Sequence, residues 1–566
     1  MKRRLLPMMM TLVLVCALPI WAAFVTSPDV TNPLVCTAWA DTAEGERNSG
    51  TTQETFTEVT DETTLKKAVA DGKSVRMTQD ITLTSSLCIE KAVTLDMDGH
   101  VLTRMHTYEY DMVVIRSDAT LTLIDSNTGN LQHRFNAGET GWTKAADNAT
   151  GDGIVTVTGG VIYGDAGRSI INPCGIKILK GKLEMYGGSI VGIRNVYNAN
   201  GGGVYVSDQC TFNMYGGSIK GCYVFSDGGG VYVAAGGTFT MSGSSAITNC
   251  KGSRGGAVYN AGTFTMRDNS HIADCIYNSS IASGGGVHNK GTFTVEGGSI
   301  TGSVNDHNRE QSSDDICNEN KLDVSEGITI SCNVNVGYGG TISKGTFTGR
   351  VWIFWEGTIL GGTFTNEVIN YEGTIKAGEF TGEVTNTSGG TISGGTFDKN
   401  VANESGATIS GGTFNENVTN KTNATLNGGI FYGGVTNDGG KIEDGAYETV
   451  KFNSDNGAQA KEEKVLRGQK VAKPTDDPTK SGYTFIGWED ADGAYDFSKS
   501  VTAPLTLTAK WEKNPSSGGY YYYPTTDTKA DDTKGSPKTA DPGVALYAAL
   551  SILSLTGMVA LNGKKR

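Results

Sequence analysis

Three groups of residues have the types and spacing to do chemistry. The first is an aromatic column. Tyr205, Tyr232, Tyr259 and His288 each follow one of the aligned valines Val204, Val231, Val258 and Val287. If the valines face inward, the alternation of an extended chain turns these four rings outward. Such a strip can stack on sugar faces, or it can brace an exposed sheet through ring-to-ring contact; both readings stand. The second is a column of thiols, Cys222, Cys250 and Cys275, each three residues after Ile219, Ile247 and Ile272. Stacked rungs bring such residues into disulfide range, while small buried thiols filling a corner fit the same spacing. The third is acidic. Asp96 and Asp98 sit at a glycine turn and Asp125 ends a strand-like run, places where Asp ordinarily caps turns.

Cleavage of a glycosidic bond needs two carboxylates facing it, roughly 5–10 Å apart. The other aligned outward positions do not supply a pair. One series reads Glu184, Asn213, Thr240, Thr265 and Thr294; another begins Glu367 and Glu383 and is broken by Asn400 and Asn417. No catalytic residue is assigned. The six His show no HExxH spacing and the ten Cys no CxxC, so neither a metal nor a cofactor is expected. A formal net charge of −13 argues against a nucleic-acid partner and would repel anionic wall polymers.

These columns exist because the chain repeats. From Gly175 to about Asn305 a unit recurs, with Ile176, Val204, Val231, Val258 and Val287 spaced 28, 27, 27 and 29 apart. Leu183, Phe212, Phe239, Phe264 and Phe293 mark a second strand; Ile190, Ile219, Ile247, Ile272 and Ile300 mark a third. Three short strands per unit with glycine corners describe a rung of a parallel β-solenoid, which buries its apolar face only by stacking. A second array keeps a shorter period. Ile342, Ile359, Ile375, Ile392, Ile409, Leu426 and Ile442 are 16 or 17 apart, and Phe347, Phe364, Phe380, Phe397, Phe414 and Phe431 follow the first six by five. Asn370, Asn386, Asn403, Asn420 and Asn437 also fall in register, which predicts an amide ladder. Glycine, 78 of 566 residues, is thereby explained as corner punctuation.

Upstream, Asp61 to Val69 reads as a short amphipathic helix able to cover the open edge of the first rung. It is followed by strand-like runs at 74–77, 81–83, 93–95, 112–115 and 121–124. The sequence Asp80-Ile81-Thr82-Leu83 and the turn Val93-Thr94-Leu95-Asp96-Met97-Asp98-Gly99-His100 resemble the start of pectin-lyase-like right-handed β-helices, a resemblance covering 56–447. It implies an all-β parallel β-helix over 56–340, continued by short-period repeats over 341–447. Gly482 to Trp488, Tyr495-Asp496-Phe497 and Leu505 to Trp511 resemble the Listeria–Bacteroides repeat, or internalin B-repeat. That implies a small β-grasp-like module over 449–512, with Trp488 and Trp511 as core residues.

Both ends read as addresses. Met1-Lys2-Arg3-Arg4, an apolar run from Leu5 to about Phe24 and Ala38-Trp39-Ala40 form a secretory signal over 1–40, cut after Ala40 or near Ala23; a retained membrane anchor is the alternative. A linker follows at 41–55, and a second, without apolar periodicity, at 513–535. The C-terminus, 536–566, joins Ser536-Pro537-Lys538-Thr539-Ala540 to an apolar stretch, 544–561, and Lys564-Lys565-Arg566. It resembles the cell-wall sorting signal of Gram-positive surface proteins, whose pattern is Leu-Pro-x-Thr-Gly. Ser536 stands for Leu and Ala540 for Gly, while Pro537 and Thr539 are kept. The resemblance implies a sortase cut between Thr539 and Ala540, joining Thr539 to peptidoglycan; an ordinary transmembrane helix is the alternative, and membrane contact is confined to that tail. The expected role is a non-catalytic adhesin or display stalk whose partners are sortase, peptidoglycan and a host or environmental glycan or matrix protein. A polysaccharide lyase or glycosidase on the same scaffold, and a passive spacer, are the competing readings.

Overall fold

The computed structural model describes residues 55–515, apart from 106–109, 128–130, 139–140, 165–173, 196–199, 279–282 and 306–314. The N-terminal signal and Ser536, Pro537, Lys538, Thr539 and Ala540 lie outside the described residues. Among those described, no helix is long and apolar enough to cross a membrane.

The chain begins with a cap. Helix α1, Glu62–Asp71, starts because Asp61 accepts from the Thr64 backbone N–H at 2.9 Å, while the Thr64 hydroxyl closes the reciprocal contact, the capping-box arrangement. Leu65, Ala68 and Val69 recur at helical spacing and are buried on the first rung. Gly72, at φ 78°, ends the helix in the left-handed conformation. The helix runs two residues past the end read from sequence.

The rest, as far as residue 442 and apart from one insert, is a parallel β-helix. A 17-stranded sheet runs from Thr57–Val59 to Lys441–Ile442, and a 15-stranded sheet from Leu87–Ile89 to Val435–Asp438. Both therefore pass through the two arrays without a break. The third wall changes: an eight-stranded sheet ends at Ser299–Thr301, and a seven-stranded one begins at Thr329–Ile330. The long rungs also carry a fourth strand of two residues, from Arg194–Asn195 to Val304–Asn305, where the sequence predicted three strands. Two residues are too few for an apolar alternation to show. Paired rungs are 29 residues apart at Val287 and Ile316 but 18 at Ile316 and Val334. The period thus shortens ahead of the break read at 340.

One apolar core runs from Val59 to Ala446. Its spine is a phenylalanine ladder: Phe347, Phe364, Phe380, Phe397, Phe414 and Phe431 are fully buried, with successive centroids 4.7–5.2 Å apart and planes within 11°. That spacing is the strand-to-strand distance itself. The register leaves no room at the corner before each ring. Gly412, at φ 106°, would place a Cβ 3.2 Å from Phe397 and 3.3 Å from Phe414.

A second element was not legible. Gln132–Gly138, Gly141–Lys144 and Ile154–Thr158 form an antiparallel sheet outside the helix. It buries Phe135 and Trp142 against Tyr163 and Val191 on the solenoid wall.

Residues 447–513 form a five-stranded mixed sheet in the order 2-1-5-3-4, its first and last strands parallel. This small mixed sheet is the separate β module expected after the solenoid. Trp488 is 6% exposed and packs edge-on to Phe452 at 5.1 Å, while the Trp511 indole donates to the Ser454 carbonyl at 3.0 Å. Trp488 is a core residue, and Trp511, half-buried, packs against that core. The sheet sits against the last rung: Phe431 N–H donates to the Arg467 carbonyl at 2.8 Å, and Arg467 N–H to the Ala446 carbonyl at 3.0 Å.

Candidate functional site

The 15-stranded sheet carries one outward column along its whole length, and the predicted aromatic residues collect on it. In pairing order it reads Cys88, Val114, Lys177, Tyr205, Tyr232, Tyr259, His288, Cys317, Asn335, Trp352 and Ile369, and then Thr385, Ala402, Thr419 and Thr436. The four predicted rings are brought together. Centroids are 5.1, 5.1 and 5.2 Å apart, with planes within 15°.

That stacking changes what the column can do. Each ring face lies on its neighbour, so the column presents edges where a sugar needs a face. Its far half is also covered: Tyr259 is 6% exposed and His288 is fully buried. Alternation turns a side chain away from the core, and a second layer then buries it. The Arg254 guanidinium lies 5.1 Å over Tyr259, held there by two contacts to Asp227 at 2.9 and 2.6 Å. Burial pushes the Tyr259 hydroxyl up to about 12. Only Tyr205 and Tyr232 remain half-buried. The expected outward strip thus forms as a ladder that braces the sheet.

The acidic group is turn chemistry. Asp125 accepts from Gly99 N–H at 2.7 Å and Gly160 N–H at 2.8 Å, yet burial outweighs these contacts and raises its pKa. Asp96 accepts from Ser126 N–H at 2.9 Å and from the Arg76 guanidinium at 2.8 Å. Burial opposes its charge, but the Ser126 and Arg76 contacts prevail and hold its pKa below the usual range. The thiols of Cys222, Cys250 and Cys275 are unpaired and fully buried. Each contacts a carbonyl two residues back at 3.3–3.6 Å, filling the rung corner. Burial drives Cys222 and Cys250 well above the ordinary thiol pKa, which removes their nucleophilicity.

Sequence reasoning missed an exposed aromatic ledge where the two arrays have merged. Tyr338 and Trp355 occupy equivalent corners on successive rungs, Tyr371 ends the strand of the next, and the three are 51, 42 and 39% exposed. Tyr338 lies 4.8 Å from Trp355, and Phe354 bridges Trp355 and Tyr371 at 5.8 and 6.0 Å. The planes are tilted by 36–50°, so faces remain open. Trp352 and Ile369, half-buried, continue the surface onto the strands. The next rungs place Thr387, Ser388, Glu404 and Ser405 at these corners. Tyr338, Trp355, Glu356 and Glu372 all have positive φ, at 50, 36, 68 and 64°, a conformation that bulky residues resist and that the following rungs give to Ser388, Gly389 and Gly406. The signal lay in the sequence as an interruption of a polar corner.

The segment 449–510 matches the family model of the Listeria-Bacteroides repeat domain. No curated protein matches the chain, and neither does any solved structure. A repeat domain typical of surface proteins therefore follows a parallel β-helix, and both are consistent with a non-catalytic surface protein.

Proposed function

We propose that this chain is a non-catalytic adhesin of the Gram-positive cell surface, which holds the aromatic ledge away from the wall on a rigid β-helical stalk. The observation that carries the proposal is the ledge. A repeat that keeps polar residues there on later rungs carries three exposed aromatic side chains on adjacent rungs, two of them at positive φ. Strain of this kind gathers where it serves a site. The ligand that fits is an uncharged saccharide. Its apolar faces match open Tyr and Trp rings, and its hydroxyls match Glu356 and Glu372, whose carboxylates have no partner among the described residues. A protein partner needs roughly 800 Å² per side, whereas the ledge spans three rungs, about 10 Å along the axis.

The sorting signal supplies the attachment in this reading. A sortase joins Thr539 to peptidoglycan, and residues 513–535 thread the wall. Two experiments test the two parts. The whole chain should be retained on arrays of neutral glycans, and Tyr338→Ser with Trp355→Ser should abolish retention; equal retention overturns the ligand assignment. Removal of 536–566 should release the protein into the medium; full retention on cells overturns the anchoring.

A further inference from the structure

The outward column changes character between the buried rings and the ledge. His288 and Cys317 are register partners on adjacent rungs, and Glu319 lies two residues beyond Cys317 on the same side of the chain. One nitrogen, one sulfur and one oxygen from these three lie within 4.8 Å of one another. His288 Nε2 is 3.2 Å from Glu319 Oε1. That contact departs from the straight hydrogen-bond line, and the other ring nitrogen of this fully buried histidine, Nδ1, has no partner. One rung further on, Asn335 pairs with Cys317, is 4% exposed, and its Oδ1 also lacks a partner. Orphaned buried polar atoms are costly, and here His288 Nδ1 and Asn335 Oδ1 belong to the two register partners of Cys317.

We propose that His288, Cys317 and Glu319 bind a zinc ion that staples the junction between the long and short rungs, with Asn335 offering an oxygen for the fourth position. The donor set selects the metal. Imidazole and thiolate suit zinc, and an all-oxygen ion such as calcium or magnesium would not take sulfur. In a tetrahedral zinc site, nitrogen and oxygen donors at about 2.1 Å from the metal lie roughly 3.4 Å apart, close to the observed His288–Glu319 separation. Glu319 is already oriented: Lys290 Nζ holds its Oε2 at 2.9 Å and leaves Oε1 toward His288, the outer-shell arrangement that fixes a ligating carboxylate. The place is mechanically apt, since Val287, Ile316 and Val334 on the same strands are where rung length drops from 29 to 18 residues. The proposal is independent of any ligand on the ledge.

The test uses the full chain under reducing conditions, titrated with Zn²⁺ by calorimetry and with Co²⁺ by absorption. Saturation at one equivalent, a thiolate-to-cobalt charge-transfer band and a rise in melting temperature with zinc are expected. Cys317→Ser should remove the band, and Glu319→Gln should weaken binding, with circular dichroism showing the β-helix intact. Lys290→Ala, which touches no donor but Glu319, should weaken binding by roughly tenfold or more. Absence of saturable zinc binding to the folded chain, or an unchanged band in Cys317→Ser, overturns the site.

Discussion

Asn403 donates from Nδ2 to Oδ1 of Asn420, 2.9 Å away on the next rung, and both amides are fully buried. The same bond joins Asn370 to Asn386 at 2.7 Å and Asn386 to Asn403 at 2.9 Å. Each amide also donates to a carbonyl across the corner, Asn403 to Thr425 at 3.2 Å. A second ladder in the long rungs links Asn260, Asn289 and Asn318 at 2.7 Å per step. These side chains replace apolar residues in the wall and tolerate it because every step is paired.

Removing one member is therefore expensive in the middle and cheap at the end. Asn403→Ala takes the acceptor from Asn386 and the donors from Asn420 and Thr425. It should cost about 2–4 kcal/mol, one or two buried partners left unmade. Asn437, exposed at the ladder's end, should cost well under 1 kcal/mol as Asn437→Ala. Urea midpoints of the two variants check this, and equal shifts would refute the ladder's buried character.

The phenylalanine spine makes a separate prediction. Phe397 touches Phe380 and Phe414 at 4.7 and 4.8 Å and is fully exposed to its neighbours on both faces, with none of it open to solvent. Phe397→Ala should destabilise by about 3–5 kcal/mol, because rungs fixed by backbone pairing on both sides cannot collapse into the void. Hydrogen exchange should quicken first in the flanking rungs. Uniform exchange along the solenoid would show that the array unfolds as one unit instead.

Acid should loosen the N-terminal cap. Glu62 lies on α1 and reaches the turn after Leu83, accepting from Thr84 N–H at 2.8 Å and the Thr84 hydroxyl at 2.7 Å, and pairing with Lys66. Burial opposes the charge, but Lys66 and Thr84 prevail and hold the pKa at about 2, against an ordinary 4.5. A depressed folded-state pKa means stability that is fully present above 4.5 and lost as pH falls toward 2. Glu62→Gln should remove that part of the acid slope and leave stability at low pH nearly unchanged. An identical slope in the variant would show that the cap does not depend on this carboxylate.

Strain at the ledge predicts a gain. Glu356 holds φ 68° with no partner for its carboxylate among the described residues. Glycine adopts this conformation freely, and a side chain there costs roughly 1–2 kcal/mol. Glu356→Gly should raise the thermal midpoint while lowering saccharide retention, a trade expected where a binding surface is kept at the expense of stability. A lowered midpoint would mean that the side chain supports the fold.

Periodicity made the solenoid readable. Phe364 or Asn386 says little alone, but the same residue types 16 or 17 positions away on both sides fix strand, face and register together. The capping helix was readable from Asp61 and the spacing of Leu65, Ala68 and Val69. What escaped is local and aperiodic: the two-residue strands such as Arg194–Asn195, and the insert that buries Trp142. The exposure of Tyr259 and His288 was misread because alternation reports direction relative to the core and nothing about Arg254 arriving from another rung. The His288, Cys317 and Glu319 cluster evaded motif reading for a related reason. Its first two members are 29 residues apart and become neighbours only through rung pairing. The ledge was open to view as Tyr338, Trp355 and Tyr371 standing where later rungs keep polar residues.

The last prediction concerns the far end of the stalk. A solenoid ends in a rung whose backbone groups face outward and can template another chain. Here Phe431 N–H is met by the Arg467 carbonyl at 2.8 Å, and Gln469 covers the carbonyls of Phe431 and Tyr432. Leu466 and Tyr447 pack on the same core. The repeat module is thus the terminal cap, matching α1 at the other end. A chain stopped at residue 446 should keep its β-helix by circular dichroism yet self-associate through the bared rung. Sedimentation velocity should show dimers or longer ends-on species, where the intact chain at the same concentration stays monomeric. Adding back the isolated module would not be needed to decide the matter: a truncated chain that remains a monomer while keeping its β spectrum shows that the cap role is wrong.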